Sequence, residues 1–194
     1  MLTILNLPNF LTLLRLLAIP CFLILLEDGS FREALAVFFA AGVTDGLDGA
    51  IARLTHTKTA LGAMLDPLAD KLLLVSSFIA LGFMHEVPRW LTVIVLSRDV
   101  MLVLGYGFLF MFTGQMMEIR PTASGKLGTF LQLMSVGAVL IRLSYGQLGG
   151  PLLEPALFAF TGAVTATAGL QYMYRGLLWL QRHEPGEGVP RPNP

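Results

Sequence analysis

Residues 43–71 read VTDGLDGAIARLTHTKTALGAMLDPLADK. Two apolar runs meet here across a short polar stretch, and four aspartates, Asp45, Asp48, Asp66 and Asp70, lie just inside the two runs. Asp45 and Asp48 are three apart and Asp66 and Asp70 four apart, so each pair shares one face of a helix. Two antiparallel helices joined by a short loop bring the pairs together. Gly42, Gly46, Gly49 and Ala50 strip the first helix of bulk beside its acids, and Gly62 and Ala63 do the same on the second. Small residues in membrane helices usually serve packing; beside paired aspartates they also make room for a bulky ligand. Pro67 leaves two geometries open, a kinked helix or a helix capped by Asp66 with Pro67 in its first turn.

Outward from this stretch the chain is membrane-like throughout. Of 194 residues 55% are apolar and 13% charged, and the mean hydropathy is +0.70. A soluble domain is about a quarter charged. The 13 basic and 13 acidic residues cancel, which excludes the net basic face that nucleic-acid binding needs. Cys21 is a single cysteine in an apolar run, so there is no disulfide framework. No basic segment precedes the first apolar stretch, as a cleaved secretory signal would require.

A bilayer core needs about 20 apolar residues per helix. The apolar runs predict an all-α integral membrane fold of six transmembrane helices, at 9–27, 31–53, 62–84, 89–112, 125–146 and 152–180, with the active site at the cytoplasmic ends of helices 2 and 3. The breaks are Glu27-Asp28-Gly29-Ser30, His85-Glu86-Val87-Pro88, Thr113 to Ser124, and Gly146 to Pro151. Residues 1–182 read as one membrane domain and 183–194 as a disordered tail. Arg53, Lys58, Arg120, Lys126, Arg175, Arg182 and Arg191 fall on the side of both termini, against Arg32, Arg89 and Arg142 on the other, so both termini are expected in the cytoplasm. No convincing internal repeat is present, which counts against inverted-repeat transporters.

A charge at mid-membrane depth costs roughly 2.5–3.5 kcal/mol on insertion scales, and four converging carboxylates repel one another besides. Arg53 and Lys71 are two charges against four, so interhelical salt bridges do not balance the set. Hard divalent cations on oxygen ligands do, and two ions in a shared carboxylate cage suit displacement at phosphorus. A divalent-cation carrier would use the same acids but would not call for Gly49, Arg53 and Gly62 at their places. Membrane prenyltransferases also hold diphosphate through magnesium on aspartates, at different spacings.

The pattern Asp45-x2-Asp48-Gly49-x2-Ala52-Arg53-x8-Gly62-x3-Asp66-x3-Asp70 resembles, at every fixed position, the signature of the CDP-alcohol phosphatidyltransferases. The opening Asn6-Leu7-Pro8-Asn9-Phe10-Leu11-Thr12 is similar to that of bacterial members, which implies a bacterial inner membrane. The resemblance implies transfer of a phosphatidyl group from CDP-diacylglycerol to an alcohol with release of CMP. It implies Asp45, Asp48, Asp66 and Asp70 as ligands of two Mg2+ or Mn2+ ions, with Asp70 also the proton acceptor for the attacking hydroxyl. Gly49, Arg53 and Thr59 resemble the positions that hold the donor's cytidine and diphosphate, as do Asn9 and Thr12. Arg98 and Lys126 resemble basic positions that bind an acceptor's phosphate, with Arg175 a weaker candidate; a buried arginine can equally pair with a carboxylate. The stretch Ser97-Arg98-Asp99-Val100-Met101-Leu102 is closer to the cardiolipin synthases, which favours phosphatidylglycerol over glycerol 3-phosphate as acceptor. A homodimer is also implied. Gly162, Ala163, Ala166, Ala168 and Gly169 could serve either the dimer or packing within one protomer.

Overall fold

The computed structural model describes the backbone over residues 7–55, 60–113, 122–146 and 152–182, and side chains over 13–44, 69, 71–105, 107–108, 111, 122–146 and 152–181. Six helices make up these residues: α1 (Leu7–Glu27), α2 (Phe31–Thr55), α3 (Ala60–Phe83), α4 (Arg89–Thr113), α5 (Ala123–Tyr145) and α6 (Leu153–Arg182). No end differs from the expected spans by more than two residues, because apolar run length and turn-forming breaks mark helix ends strongly. α3 starts at Ala60, so Pro67 lies inside it and Asp66 is not its N-cap. Among the described residues, Ala123–Tyr145 and Leu153–Gln181 are long and apolar enough to cross a membrane by length and composition.

The turns close tightly at one end of the bundle. After α1 the chain reverses through Gly29 at φ +72°, where Ser30 N donates to Leu25 O at 2.9 Å and Gly29 N to Leu26 O at 3.1 Å, the left-handed helix stop that glycine permits. Against these turns packs a core of Phe22, Leu26, Phe38, Phe78, Leu81, Val87, Leu91, Val95, Val139, Leu140 and Phe158. Arg142 crosses the same end. Its Nε donates to both oxygens of Glu154 at 2.8 and 2.9 Å, and its Nη2 to Glu86 at 2.7 Å, joining α5 to α6 and to the α3–α4 turn.

α1 packs lengthwise along both α2 and α3. α6 packs along α4 and α5. A Cβ at Gly162 would lie 2.5 Å from Trp90 Cζ3, so only glycine lets α6 approach α4 so closely there. Gly162, Ala168 and Gly169 are thus used inside the protomer, while Ala163 and Ala166 are exposed. Between α5 and α6, Gln132 Nε2 donates to Thr165 Oγ1 at 3.1 Å, and Ser135 Oγ lies 2.9 Å from Thr161 Oγ1, all four buried.

Candidate active site

The backbone puts the two acidic pairs at matching depth. Asp45 is ten residues before the end of α2 and Asp70 ten residues after the start of α3, each about 15 Å along its helix at 1.5 Å per residue. Asp48 and Asp66 are seven and six residues in. In an antiparallel hairpin the pairs 45/70 and 48/66 are therefore level. The side chains of all four lie outside the described residues, as do those of Asn9, Thr12, Gly49 and Arg53, whose backbones lie on α1 and α2. Thr59 falls wholly outside. Immediately before Asp45, Thr44 Oγ1 donates to the carbonyls of Ala40 and Ala41 at 2.9 Å each, and on α3 the buried Ala69 precedes Asp70.

Arg15 was not singled out by the sequence reading. It lies eight residues into α1, about 12 Å from the helix start, at the depth of the acidic pairs, and only 2% of it is exposed. An arginine inside an apolar run, on the helix that packs along both α2 and α3, is the signal that could have found it.

Lys71 follows Asp70 but turns to α4, where its Nζ donates to Asp99 Oδ1 at 2.8 Å. It is therefore engaged outside the acidic pairs, consistent with their needing another source of positive charge. The same Asp99 Oδ1 accepts from Arg98 Nη1 at 2.7 Å. Arg98 is 8% exposed, and its Nε is buried with no hydrogen-bond partner among the described residues. The carboxylate pairing of Arg98 is thus present in the geometry. One edge of the guanidinium pairs with a carboxylate, and another donor is left over.

On its far side Arg98 meets α6, which in turn holds the start of α5. Its stem passes Gly169, where a Cβ would sit 3.6 Å from Arg98 Cγ, and the guanidinium carbon lies 5.9 Å from the centre of the Tyr172 ring. Tyr172 Oη accepts from Thr122 N at 3.3 Å, while Thr122 Oγ1 caps α5 by accepting from Gly125 N at 3.0 Å. A Cβ at Gly125 would lie 2.9 Å from Tyr172 Oη, so the close approach calls for glycine. Ser124 Oγ donates to Gln171 Oε1 at 2.6 Å. Lys126 is exposed in the first turn of α5, and Arg175 is exposed one turn beyond Gln171 and Tyr172. A helix N-terminus beside a buried guanidinium favours an anion.

The backbones of four aspartates thus stand at level positions on α2 and α3, and the Lys71–Asp99–Arg98 trio joins α3 to α4. The family model described as CDP-alcohol phosphatidyltransferase matches residues 5–170. A Mycobacterium tuberculosis protein named as a probable phosphatidylglycerophosphate synthase is 36% identical over 180 residues, covering 89% of this chain and 82% of the relative. A Bacillus subtilis CDP-diacylglycerol--glycerol-3-phosphate 3-phosphatidyltransferase is 32% identical over 183 residues, 86% of this chain and 93% of the relative. A Drosophila melanogaster probable cardiolipin synthase (CMP-forming) is 34% identical over 186 residues, 88% of this chain and 57% of the relative.

Proposed function

Because the chain belongs to the CDP-alcohol phosphatidyltransferase family, we propose that it moves the phosphatidyl group of CDP-diacylglycerol onto a glycerol-type alcohol and releases CMP, with phosphatidylglycerol as the favoured acceptor and cardiolipin as product. It is a membrane-associated transferase of phospholipid synthesis. In this reading all six helices cross a bacterial inner membrane within residues 1–182, both termini are cytoplasmic, and the active site lies at the cytoplasmic ends of α2 and α3.

The carrying observation is Arg98, buried in α4 with an Nε that has no partner among the described residues, its guanidinium over Tyr172, which holds the capped start of α5. Such a group answers an anionic acceptor, and phosphatidylglycerol and glycerol 3-phosphate both offer a phosphate one glycerol unit away from a free hydroxyl. Glycerol 3-phosphate, giving phosphatidylglycerol phosphate, is the second reading. It is favoured by the names of the Mycobacterium and Bacillus relatives, of which the chain covers the larger shares.

Asp45, Asp48, Asp66 and Asp70 would hold two Mg2+ or Mn2+ ions, since an all-carboxylate donor set in level pairs fits hard cations. When bound, the ions offset negative charge on the donor diphosphate. Asp70 takes the proton from the acceptor hydroxyl, whose oxygen forms a new bond to the phosphatidyl phosphorus as the bond to CMP breaks. Gly49, Arg53, Thr59, Asn9 and Thr12 bind the donor, with Arg53 able to present a forked guanidinium to phosphate. Arg98 and Lys126 hold the acceptor's phosphate. A homodimer completes the reading.

The test supplies labelled CDP-diacylglycerol with Mg2+ or Mn2+ and either glycerol 3-phosphate or phosphatidylglycerol, and separates the lipid products. Cardiolipin as main product supports the favoured acceptor, and phosphatidylglycerol phosphate formed only from glycerol 3-phosphate replaces it. Metal binding without CMP release from either acceptor would point to a cation carrier instead.

A further inference from the structure

We propose that Asp99 is a positioning residue for the acceptor, setting the separation between the α4 guanidinium and the α3 segment that carries the proton acceptor. The inference rests on the proposed function of Arg98 and Asp70. Consecutive residues of a helix project about 100° apart and do not ordinarily meet. Arg98 begins on the α6 side of α4, passing Gly169 and lying over Tyr172, whereas Asp99 faces α3 and accepts from Lys71 at 2.8 Å. Yet Arg98 Nη1 returns to the same Asp99 oxygen at 2.7 Å. The guanidinium is thus drawn back along α4 toward α3.

Pinning one nitrogen of a planar fork sets the direction of the others. The Nε left over is buried and without a partner among the described residues, and a donor in that condition calls for an acceptor from elsewhere. One carboxylate oxygen therefore fixes two things together, the aim of Arg98 and the attachment of Lys71, the residue after Asp70. Both glycerol acceptors hold phosphate and attacking hydroxyl on one three-carbon unit. A base and a guanidinium held at a matching separation would bind both ends at once, the orientation that speeds a two-centre reaction. In this reading Asp99 touches no substrate.

The test measures CMP release by the full chain in lipid nanodiscs, varying CDP-diacylglycerol against glycerol 3-phosphate and against phosphatidylglycerol. Asp99→Asn keeps the side chain's size and removes its charge. It is expected to raise the acceptor KM roughly tenfold while the donor KM stays within about twofold. Lys71→Met should raise the acceptor KM about threefold, and the double variant should be no worse than Asp99→Asn alone, since both act through one bridge. Donor and acceptor KM rising together, or fully additive losses in the double variant, would overturn the proposal. So would an unchanged acceptor KM in Asp99→Asn when Arg98→Gln raises it. An unchanged acceptor KM in Arg98→Gln overturns the acceptor-site reading and this inference with it. Should Asp99→Asn not fold, the partly exposed Lys71 carries the test, and an unchanged acceptor KM in Lys71→Met is then decisive against it.

Discussion

The helical bundle has one charged trio at its turn-rich end and another at mid-height, each including an arginine, and the two are assembled in opposite ways. At the turn-rich end Arg142 lies between two carboxylates and uses Nε and Nη2 on Glu154 and Glu86. Midway along α4, Asp99 lies between two cations, and Arg98 keeps a buried Nε without a partner among the described residues. Counted by formal charge, the first trio is negative and the second positive. The first joins three parts of the chain with its visible donors engaged, as a tie does. The second retains attraction for an anion, as a binding site does, and it stands on α3 beside the acidic segment that the first does not approach.

The contrast is sharpest where chemistry should separate from stability. Asp70→Asn is expected to lower CMP release roughly 10²- to 10⁴-fold, the range for loss of a general base, with the melting temperature unmoved and CDP-diacylglycerol still bound. Near-normal turnover would remove Asp70 from the base role. Arg98→Gln should raise the acceptor KM roughly tenfold to a hundredfold, the value of one charge-assisted hydrogen bond, with little loss of stability because one of its donors is unused. Arg142→Gln should do the reverse. Removing the cation leaves Glu86 and Glu154 facing each other and costs about 2 kcal/mol of stability by denaturation, with both KM values unchanged. If Arg142→Gln moved the acceptor KM as far as Arg98→Gln does, the two clusters would not differ in kind. The smallest effect is expected for Gln132→Leu, about 0.6 kcal/mol for one interhelical hydrogen bond, read by thermal denaturation with activity intact.

The helices were legible because their signals are local. Apolar run length and breaks such as Asp28-Gly29-Ser30 located every described end within two residues. The register of the acids was legible for the same reason, since three- and four-residue spacings are helical neighbours. What the reading could not reach is pairing between helices. That α1 lies along both α2 and α3, carrying the buried Arg15, depends on contacts far apart in the chain. The choice at Pro67 depended on where α3 begins, and helix formers upstream of the proline carried the start back to Ala60. For Arg98 the sequence left open a carboxylate partner or an anion, and named no particular carboxylate. Only the bend of the arginine stem past Gly169 shows that Arg98 meets Asp99.

The hydrogen bond from Thr122 to Tyr172 spans 50 residues of sequence, and it connects the capped start of α5 to the last helix. During synthesis α1, α2 and α3 emerge first, so the acid-bearing helices can find α1 while later helices are still unmade. The pocket around Arg98 has no such head start. Its aromatic wall, its glycine groove at Gly169 and the anchor of its α5 cap all come from α6. The surroundings of Arg98 are therefore completed last, and on the proposed function a nascent chain that stops short of Tyr172 would have its metal and donor residues before its acceptor site.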